Sequence, residues 1–338
     1  MIGRNIRYYR LVKKMSQEEL AIAIGSSKMA ISNYEAGKRN PNYDTCRKLA
    51  DVLEISLSML LARADTCLEI RHGAFRKQSA VTKTQQQIIL EHIDRYLTRL
   101  YEAASFIGNF SLPPVPSFER KSFQDDYDSA AQYLRDILNI SSSGPIGNIT
   151  DILENKGFII CPVNYPAHSF SGNSGTVNSR PYIAVNITMP AERQRFTLIH
   201  ELAHLVFDQN NERIIDSIAG AFLFPRIDAV RELGAKRTDI RCDLRNIQRE
   251  YGISMPAIVM RAYQTGIITK NIYEITMKWM SANGLRSNDI SGIIPEKSRL
   301  LEQLVSHAVA EDEITVSKAA ELLEMPLLEV RRLCYSGI

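Results

Sequence analysis

Apolar residues recur at helical spacing through the first sixty positions, at Ile6, Leu11, Leu20, Ile22, Ile24, Ile31, Leu49, Leu53, Leu57 and Leu60. Breaks fall at Met15-Ser16, Gly25-Ser26, Gly37 and Asn40-Pro41, so the pattern predicts five short helices. Ser16 followed by Glu19 forms a capping box for the second helix, Gly25 ends it, and Ser26-Ser27 cap the third. From Ala64 to about Phe110 the pattern becomes long and helical, with Ile88, Ile89, Ile93, Tyr96, Leu97 and Leu100 on one stripe, as in a connecting or dimerising helix. The prolines of "SLPPVPSF" break it and mark a domain boundary. Two helices follow in "DDYDSAAQYLRDIL" and "PIGNITDILENKG", the second entered through Pro145 and stopped by Gly157. "FIICPV" and "PYIAVN" read as strands, with "HSFSGNSG" between them as a short strand or loop. A helix then opens at Pro190 and turns Phe196, Ile199, Leu202, Ala203, Val206 and Phe207 to one side. The last seventy or so residues read as a small helical module, in which Ile314, Val316, Ala319, Leu322 and Leu323 lead to Met325-Pro326. Helices, a few strands and further helices define an α+β fold. The C-terminal module admits a second helix-turn-helix-like element, with partner binding or packing at least as well supported as DNA contact.

Composition narrows the class. A chain of 338 residues with 45% apolar and 23% charged residues is an ordinary globular protein with room for two domains. Apolar runs such as "AIAI" and "AFLF" fall far short of the ~20 residues that span a bilayer, and "MIGRNIRYYR" lacks a signal-peptide core. The expectation is a soluble, cytoplasmic protein with no membrane partner. Cys46, Cys67, Cys161, Cys242 and Cys334 are odd in number and never spaced as CxxC, which fits a reducing compartment. The net charge of +3 is unevenly spread. Residues 1–63 hold eleven Lys and Arg against six Asp and Glu, so the basic excess lies there and points to a polyanionic partner.

The helix from Pro190 carries the candidate chemistry. His200 and His204 stand one turn apart, so both imidazoles reach one ion from the same side. Glu201 between them is placed to take a proton from an attacking water and deliver it to a leaving amine. Downstream, "NERIIDSIAGAFLFP" offers Glu212 as a third ligand, with Asp208 and Asp216 as alternatives. Asp216 is also placed to orient a ligand imidazole. Imidazoles with a carboxylate and an open fourth position suit catalytic zinc, and Mn2+, Fe2+ or Co2+ are accommodated by the same donors.

Two resemblances extend this reading. "SQEELAIAIGSSKMAISNYEAGKRNP" resembles the helix-turn-helix of XRE, or Cro/C1-type, DNA-binding domains over residues 1 to about 62. It implies double-stranded DNA as partner, with Gln17 at a phosphate and Ser26, Ser27, Lys28, Met29, Ser32 and Asn33 at base edges or backbone. Lys38 and Arg39 would meet phosphates. One copy per chain implies a homodimer or a weak binder. "SFSG", "PYIAVN", "ERQRFTLIHELAHLVF", "ERIIDSIAGAFLFP" and "REYGISMPAIVMRAYQTGIIT" are similar to the ImmA/IrrE family of metallo-endopeptidases. Together they look like fused regulator–metallopeptidase proteins of bacteria and their mobile elements. That resemblance implies a zincin-like domain with His200, His204 and Glu212 as ligands and Glu201 as general base and acid. It also implies a substrate of the XRE repressor or antitoxin type, cleaved in a stress response in the bacterial cytosol or nucleoid. His168 stands where an acidic residue is common in that family, in a position to assist at the tetrahedral intermediate or to serve structurally. The expected organisation is a helix-turn-helix domain over 1–63, a helical connector and Pro-rich linker over 64–116, a metallopeptidase domain over 117–270 and a helical module over 271–338. The alternative is a non-proteolytic XRE-family regulator or antitoxin whose metallopeptidase-like domain senses metal, peptide or a partner.

Overall fold

Local signals near the N-terminus act where the sequence puts them. In the computed structural model, which describes residues 2–61, 68–75, 81–108, 112–118, 126–166, 169–209, 211–285 and 291–335, the first five helices are α1 (Ile2–Val12), α2 (Gln17–Ile24), α3 (Lys28–Glu35), α4 (Tyr43–Leu53) and α5 (Leu57–Leu61). Arg63, Cys67 and His168 lie outside the described residues. Ser16 Oγ accepts from Glu19 N at 3.1 Å and Glu19 Oε2 accepts from Ser16 N at 2.6 Å, closing the predicted capping box. Gly25 ends α2 in the left-handed region at φ 69°, and Ser27 Oγ caps α3 by accepting from Ala30 N at 3.2 Å. Ile6, Leu20, Ile31, Leu49 and Leu60 are fully buried between these helices. Helix α1 lies so close to α3 that a Cβ on Gly3 would meet the Tyr34 carbonyl oxygen at 2.0 Å. A buried ion pair ties them: Arg10 Nε and Nη2 donate to Glu35 Oε1 and Oε2 at 2.5 and 3.0 Å, and Gln17 Nε2 adds a third bond to Oε2 at 2.7 Å.

Two compact units divide the chain, and neither is continuous in sequence. The first comprises Met1–Leu68, Thr82–Ser111 and Arg299–Ile338; the second comprises Glu69–Val81 and Leu112–Ser298. In the first unit, α6 (Lys83–Ser105) buries Ile89, Ile93, Tyr96, Leu97 and Leu100, close to the predicted stripe. It packs against α15 (Leu300–Ala310) and α16 (Val316–Leu323), and α17 (Leu327–Tyr335) follows. Arg95 and Arg99 of α6 grip Glu324 at 2.9 and 3.1 Å, and the Arg95 guanidinium also lies over the rings of Tyr8 and Tyr9. Burial opposes ionisation of Glu324, yet the two guanidiniums hold its carboxyl below the usual range. Burial pushes the Tyr8 hydroxyl up to about 12.

The α16–α17 hairpin repeats the turn geometry of α2–α3. Each begins with an eight-residue helix whose N-cap hydroxyl, Ser16 or Thr315, accepts from the third helical N–H. Each ends in one left-handed residue, Gly25 or Glu324. Ser26 N donates to Ala21 O at 2.8 Å, and Met325 N donates to Ala320 O at 3.2 Å. Ile31 N bonds Ser27 O, and Val330 N bonds Pro326 O. In the second unit, α12 (Leu244–Tyr251) likewise ends in a left-handed residue, Gly252 at φ 60°, before α13 (Met255–Gln264), where Ile258 N bonds Ser254 O at 3.0 Å.

The second unit is built on a four-stranded sheet in the order β1-β3-β4-β2. Strand β1 (Ile70–His72) is antiparallel to β3 (Gly172–Val177), β3 is antiparallel to β4 (Arg180–Asn186), and β4 is parallel to β2 (Ile159–Val163). Asn178 and Ser179, both at positive φ, make the two-residue turn between β3 and β4. Strand β1 departs from the continuous helical reading of residues 64–110: its three residues are ordered by pairing with β3, which local periodicity does not register. Helix α7 (Tyr127–Leu138) lies as expected, whereas α8 (Ile149–Asn155) starts beyond Pro145, where Asn148 Oδ1 accepts from Asp151 N at 3.1 Å. The chain continues through α9 (Ala191–Val206), α10 (Glu212–Leu223), α11 (Arg226–Leu233) and, after α12 and α13, α14 (Lys270–Ala282).

Helix α9 fills the centre of this unit. Leu198, Ile199, Leu202, Ala203 and Val206 are buried in one cluster with Leu134 and Leu138 of α7, Ile215, Ile218 and Phe222 of α10, and Ile160, Ile183 and Val185 of the sheet. Two buried arginines receive the carbonyls at the end of α10: Arg135 donates to Phe222 O at 3.0 and 2.6 Å, and Arg261 donates to Phe224 O at 3.2 Å. Guanidiniums at a helix C-terminus satisfy carbonyls that have no intrahelical donor. Burial lowers the Arg135 guanidinium to about 10. Among the described residues no helix is long and apolar enough to cross a membrane.

Candidate metal centre and nucleic-acid interface

His200 and His204 leave α9 on the side that faces the first turn of α10. The reversal between the helices is short. Phe207 turns extended, and Asn211 caps α10 by accepting from Arg213 N at 3.1 Å. Glu212 therefore stands at the first position of α10, with its side chain directed at the two imidazoles. His200 Nε2 and His204 Nε2 lie 3.0 Å apart, and Glu212 Oε2 lies 3.3 Å from the first and 3.6 Å from the second. Among the described residues, the cluster of metal-ligating side chains consists of His200, His204 and Glu212.

The donor set fits a divalent cation. Four ligands at ~2.0–2.1 Å in a tetrahedron stand roughly 3.3–3.4 Å from one another, and the three separations here bracket that value. His200 Nδ1 lies 2.9 Å from Asp216 Oδ1, one turn along α10 from Glu212. With Nδ1–H given to that carboxylate, the neutral ring carries its lone pair on Nε2, toward the other two donors. The ring is held in place by burial, at 2% side-chain exposure, and is stacked on Phe196. His204 and Glu212 are more open, at 25% and 40%, so the centre faces solvent on one side. Asp216 thus lies on the far nitrogen of His200, and Asp208 is outside the cluster.

Glu201 is buried beside this centre, and Ser174 Oγ of β3 donates to its Oε2 at 2.8 Å. Sequence reasoning passed over Ser174. The available signal was the spacing of "SGNSG", in which Gly172 lets the strand approach α9. A Cβ there would meet Thr197 Cγ2 at 2.4 Å, Ala184 O at 2.8 Å and Glu201 Cγ at 3.2 Å.

In the first unit, Ser26, Ser27, Lys28, Met29 and Ser32 are exposed along the turn and the start of α3, as are Lys38 and Arg39 beyond its end. Met29 is 74% exposed, an arrangement suited to apolar contact in a groove. Asn33 is half-buried and its carbonyl accepts from Lys38 N and Arg39 N, at 2.9 and 3.3 Å, so it shapes the loop that carries both cations. Gln17 is also half-buried, with Nε2 engaged by Glu35. Lys28 Nζ lies 3.3 Å from Glu18 Oε2.

The chain thus combines a helix-turn-helix in its first unit with a cluster of potential metal ligands in its second. Comparison with known proteins agrees on both parts. Residues 6–60 match the helix-turn-helix family of XRE type, and residues 162–263 match the IrrE N-terminal-like domain of the M78 peptidase family. A curated relative, the "Uncharacterized HTH-type transcriptional regulator YqaE" of Bacillus subtilis (strain 168), is 34% identical over 61 residues, which is 18% of this chain. The chain spans about half, 53%, of that relative's length. No solved structure matches the chain.

Proposed function

We propose that the protein is a DNA-binding regulatory metallo-endopeptidase that hydrolyses a peptide bond in a partner protein. The observation that carries this reading is the convergence of His200 Nε2, His204 Nε2 and Glu212 Oε2 within 3.0–3.6 Å beside the buried carboxylate of Glu201. Ligands alone would serve a structural or sensory metal, whereas peptide hydrolysis also needs a proton acceptor at this place. A divalent ion, zinc first by the chemistry of the donors, would be held by His200, His204 and Glu212 and would supply Lewis-acid polarisation of the scissile carbonyl. Asp216 orients the His200 ring. Glu201 takes the proton from the attacking water and returns it to the departing amine nitrogen, so the same carboxylate serves as base and then as acid. The helix-turn-helix brings this chemistry to DNA in the bacterial cytosol, and a DNA-bound repressor or antitoxin of XRE type is the proposed substrate.

The test is metal content by mass spectrometry on protein purified without added metal, for wild type and a His200→Ala/His204→Ala double variant. About one metal per chain, lost in the variant, is the expected result. Absence of metal in the wild type after zinc loading overturns the peptidase reading. With metal bound, Glu201→Gln discriminates peptidase from sensor. It abolishes the regulatory output under the first and leaves it intact under the second.

A further inference from the structure

Strand β3 is an inner strand, paired to β1 on one side and to β4 on the other. Ser174 sits in the middle of it, in register with Ile183, and its carbonyl accepts from Gly73 N at 2.7 Å. The preceding residue is also tethered: Asn173 Nδ2 donates to Gly73 O at 3.0 Å, and Asn173 Oδ1 accepts from the Tyr182 hydroxyl at 3.2 Å. The backbone under Ser174 is thus held from both flanks, with little freedom to follow a moving partner. Its hydroxyl is nonetheless spent on one acceptor, Glu201 Oε2, and both residues are 7% exposed.

A carboxylate on a helix has several rotamers and two equivalent oxygens. A general base needs one rotamer and one oxygen directed at the reacting proton. The Ser174 hydroxyl, presented by a sheet, breaks that equivalence: Oε2 is engaged and Oε1 remains for chemistry. The approach of Gly172 to Thr197 and Glu201 brings the strand near enough for a direct bond.

We infer that Ser174 is the positioning residue of Glu201, holding the carboxylate so that one defined oxygen exchanges protons with water and the leaving amine. The inference rests on the peptidase reading above.

The experiment uses the full-length, zinc-loaded chain and a peptide hydroxamate, whose acidic hydroxyl proton is taken by a neighbouring carboxylate on binding. Zinc affinity is read by competition with a chromophoric chelator, and hydroxamate affinity by calorimetry. Ser174→Ala should keep zinc affinity within about twofold and lose hydroxamate affinity by about tenfold, through loss of one charge-assisted hydrogen bond that orients the base. Ser174→Thr, which keeps the hydroxyl and suits a strand, should restore most of it. Glu201→Gln should lose at least as much as Ser174→Ala. Where a peptide substrate is cleaved, Ser174→Ala should lower kcat with little change in KM.

Wild-type hydroxamate affinity in Ser174→Ala, alongside a loss in Glu201→Gln, overturns the inference and leaves the peptidase reading standing. Loss of zinc from Ser174→Ala also overturns it, since Ser174 would then support the ligand helix rather than the base. A zinc-loaded wild type that does not bind the hydroxamate overturns the peptidase reading and this inference with it.

Discussion

Asp216 gives the most direct test of how the proposed metal centre is organised. Its Oδ1 lies 2.9 Å from His200 Nδ1, on a ring that is itself 2% exposed. Removing that acceptor with Asp216→Ala frees the ring to change tautomer, so part of the population presents N–H rather than a lone pair at Nε2. Partners of this kind are worth about 10- to 100-fold in metal affinity, or roughly 1.4–2.7 kcal/mol. Asp216→Asn keeps an acceptor oxygen but loses the charge, and should fall between alanine and wild type. Zinc titration against a chromophoric chelator measures all three, with His200→Ala as the reference for a broken site. Equal affinity in wild type and Asp216→Ala would refute the reasoning, because the ring would then be set by burial and by its stacking on Phe196 alone.

Four further outcomes follow from the same geometry. Glu35→Ala should lower the stability of the first unit by about 3–5 kcal/mol in urea unfolding, since it strands the buried Arg10 guanidinium and removes the acceptor of Gln17. Gly172→Ala should cost about 1–3 kcal/mol in calorimetric unfolding, because the added methyl must push β3 away from Thr197 and Ala184. Glu324 is held below the ordinary carboxylate range, so its ionised form adds stability that is fully present above about pH 5 and is lost as pH falls through its folded-state value. Thermal midpoints between pH 3 and 7 should therefore fall less steeply for Glu324→Gln than for wild type. Finally, if Lys38 and Arg39 contact phosphates, each alanine substitution should weaken duplex binding and flatten the slope of log affinity against log salt by about 0.9. Fluorescence anisotropy at several salt concentrations reads this directly.

Much of the first five helices was legible because the devices that shape them are local. A capping box spans Ser16 to Glu19, a left-handed terminus needs one glycine at position 25, and a helical stripe repeats every three to four residues. The same holds for His200 and His204, whose common side follows from helical period alone. Glu212 was reachable as a candidate, but its approach depends on how α10 packs against α9, which no periodicity encodes. The C-terminal hairpin could be read only as a resemblance to helix-turn-helix geometry, because its left-handed position holds Glu324 rather than glycine. Structure supplies the reason that residue is tolerated: Arg95 and Arg99 bind its carboxylate, which offsets a backbone cost of about 1–2 kcal/mol.

By itself, the sequence determined the helix-turn-helix and the paired histidines with their intervening glutamate. These rest on neighbours within one or two turns, so chain order and side-chain chemistry suffice. The tertiary structure alone decided that Ile70–His72 joins the sheet, that residues 82–108 and 299–335 pack in the unit of the helix-turn-helix, and that Ser174 meets Glu201. Such contacts link positions far apart in the chain, through strand register and the burial of facing apolar surfaces. Many sequences satisfy the same local periodicities, and only the packed chain selects which distant partners meet.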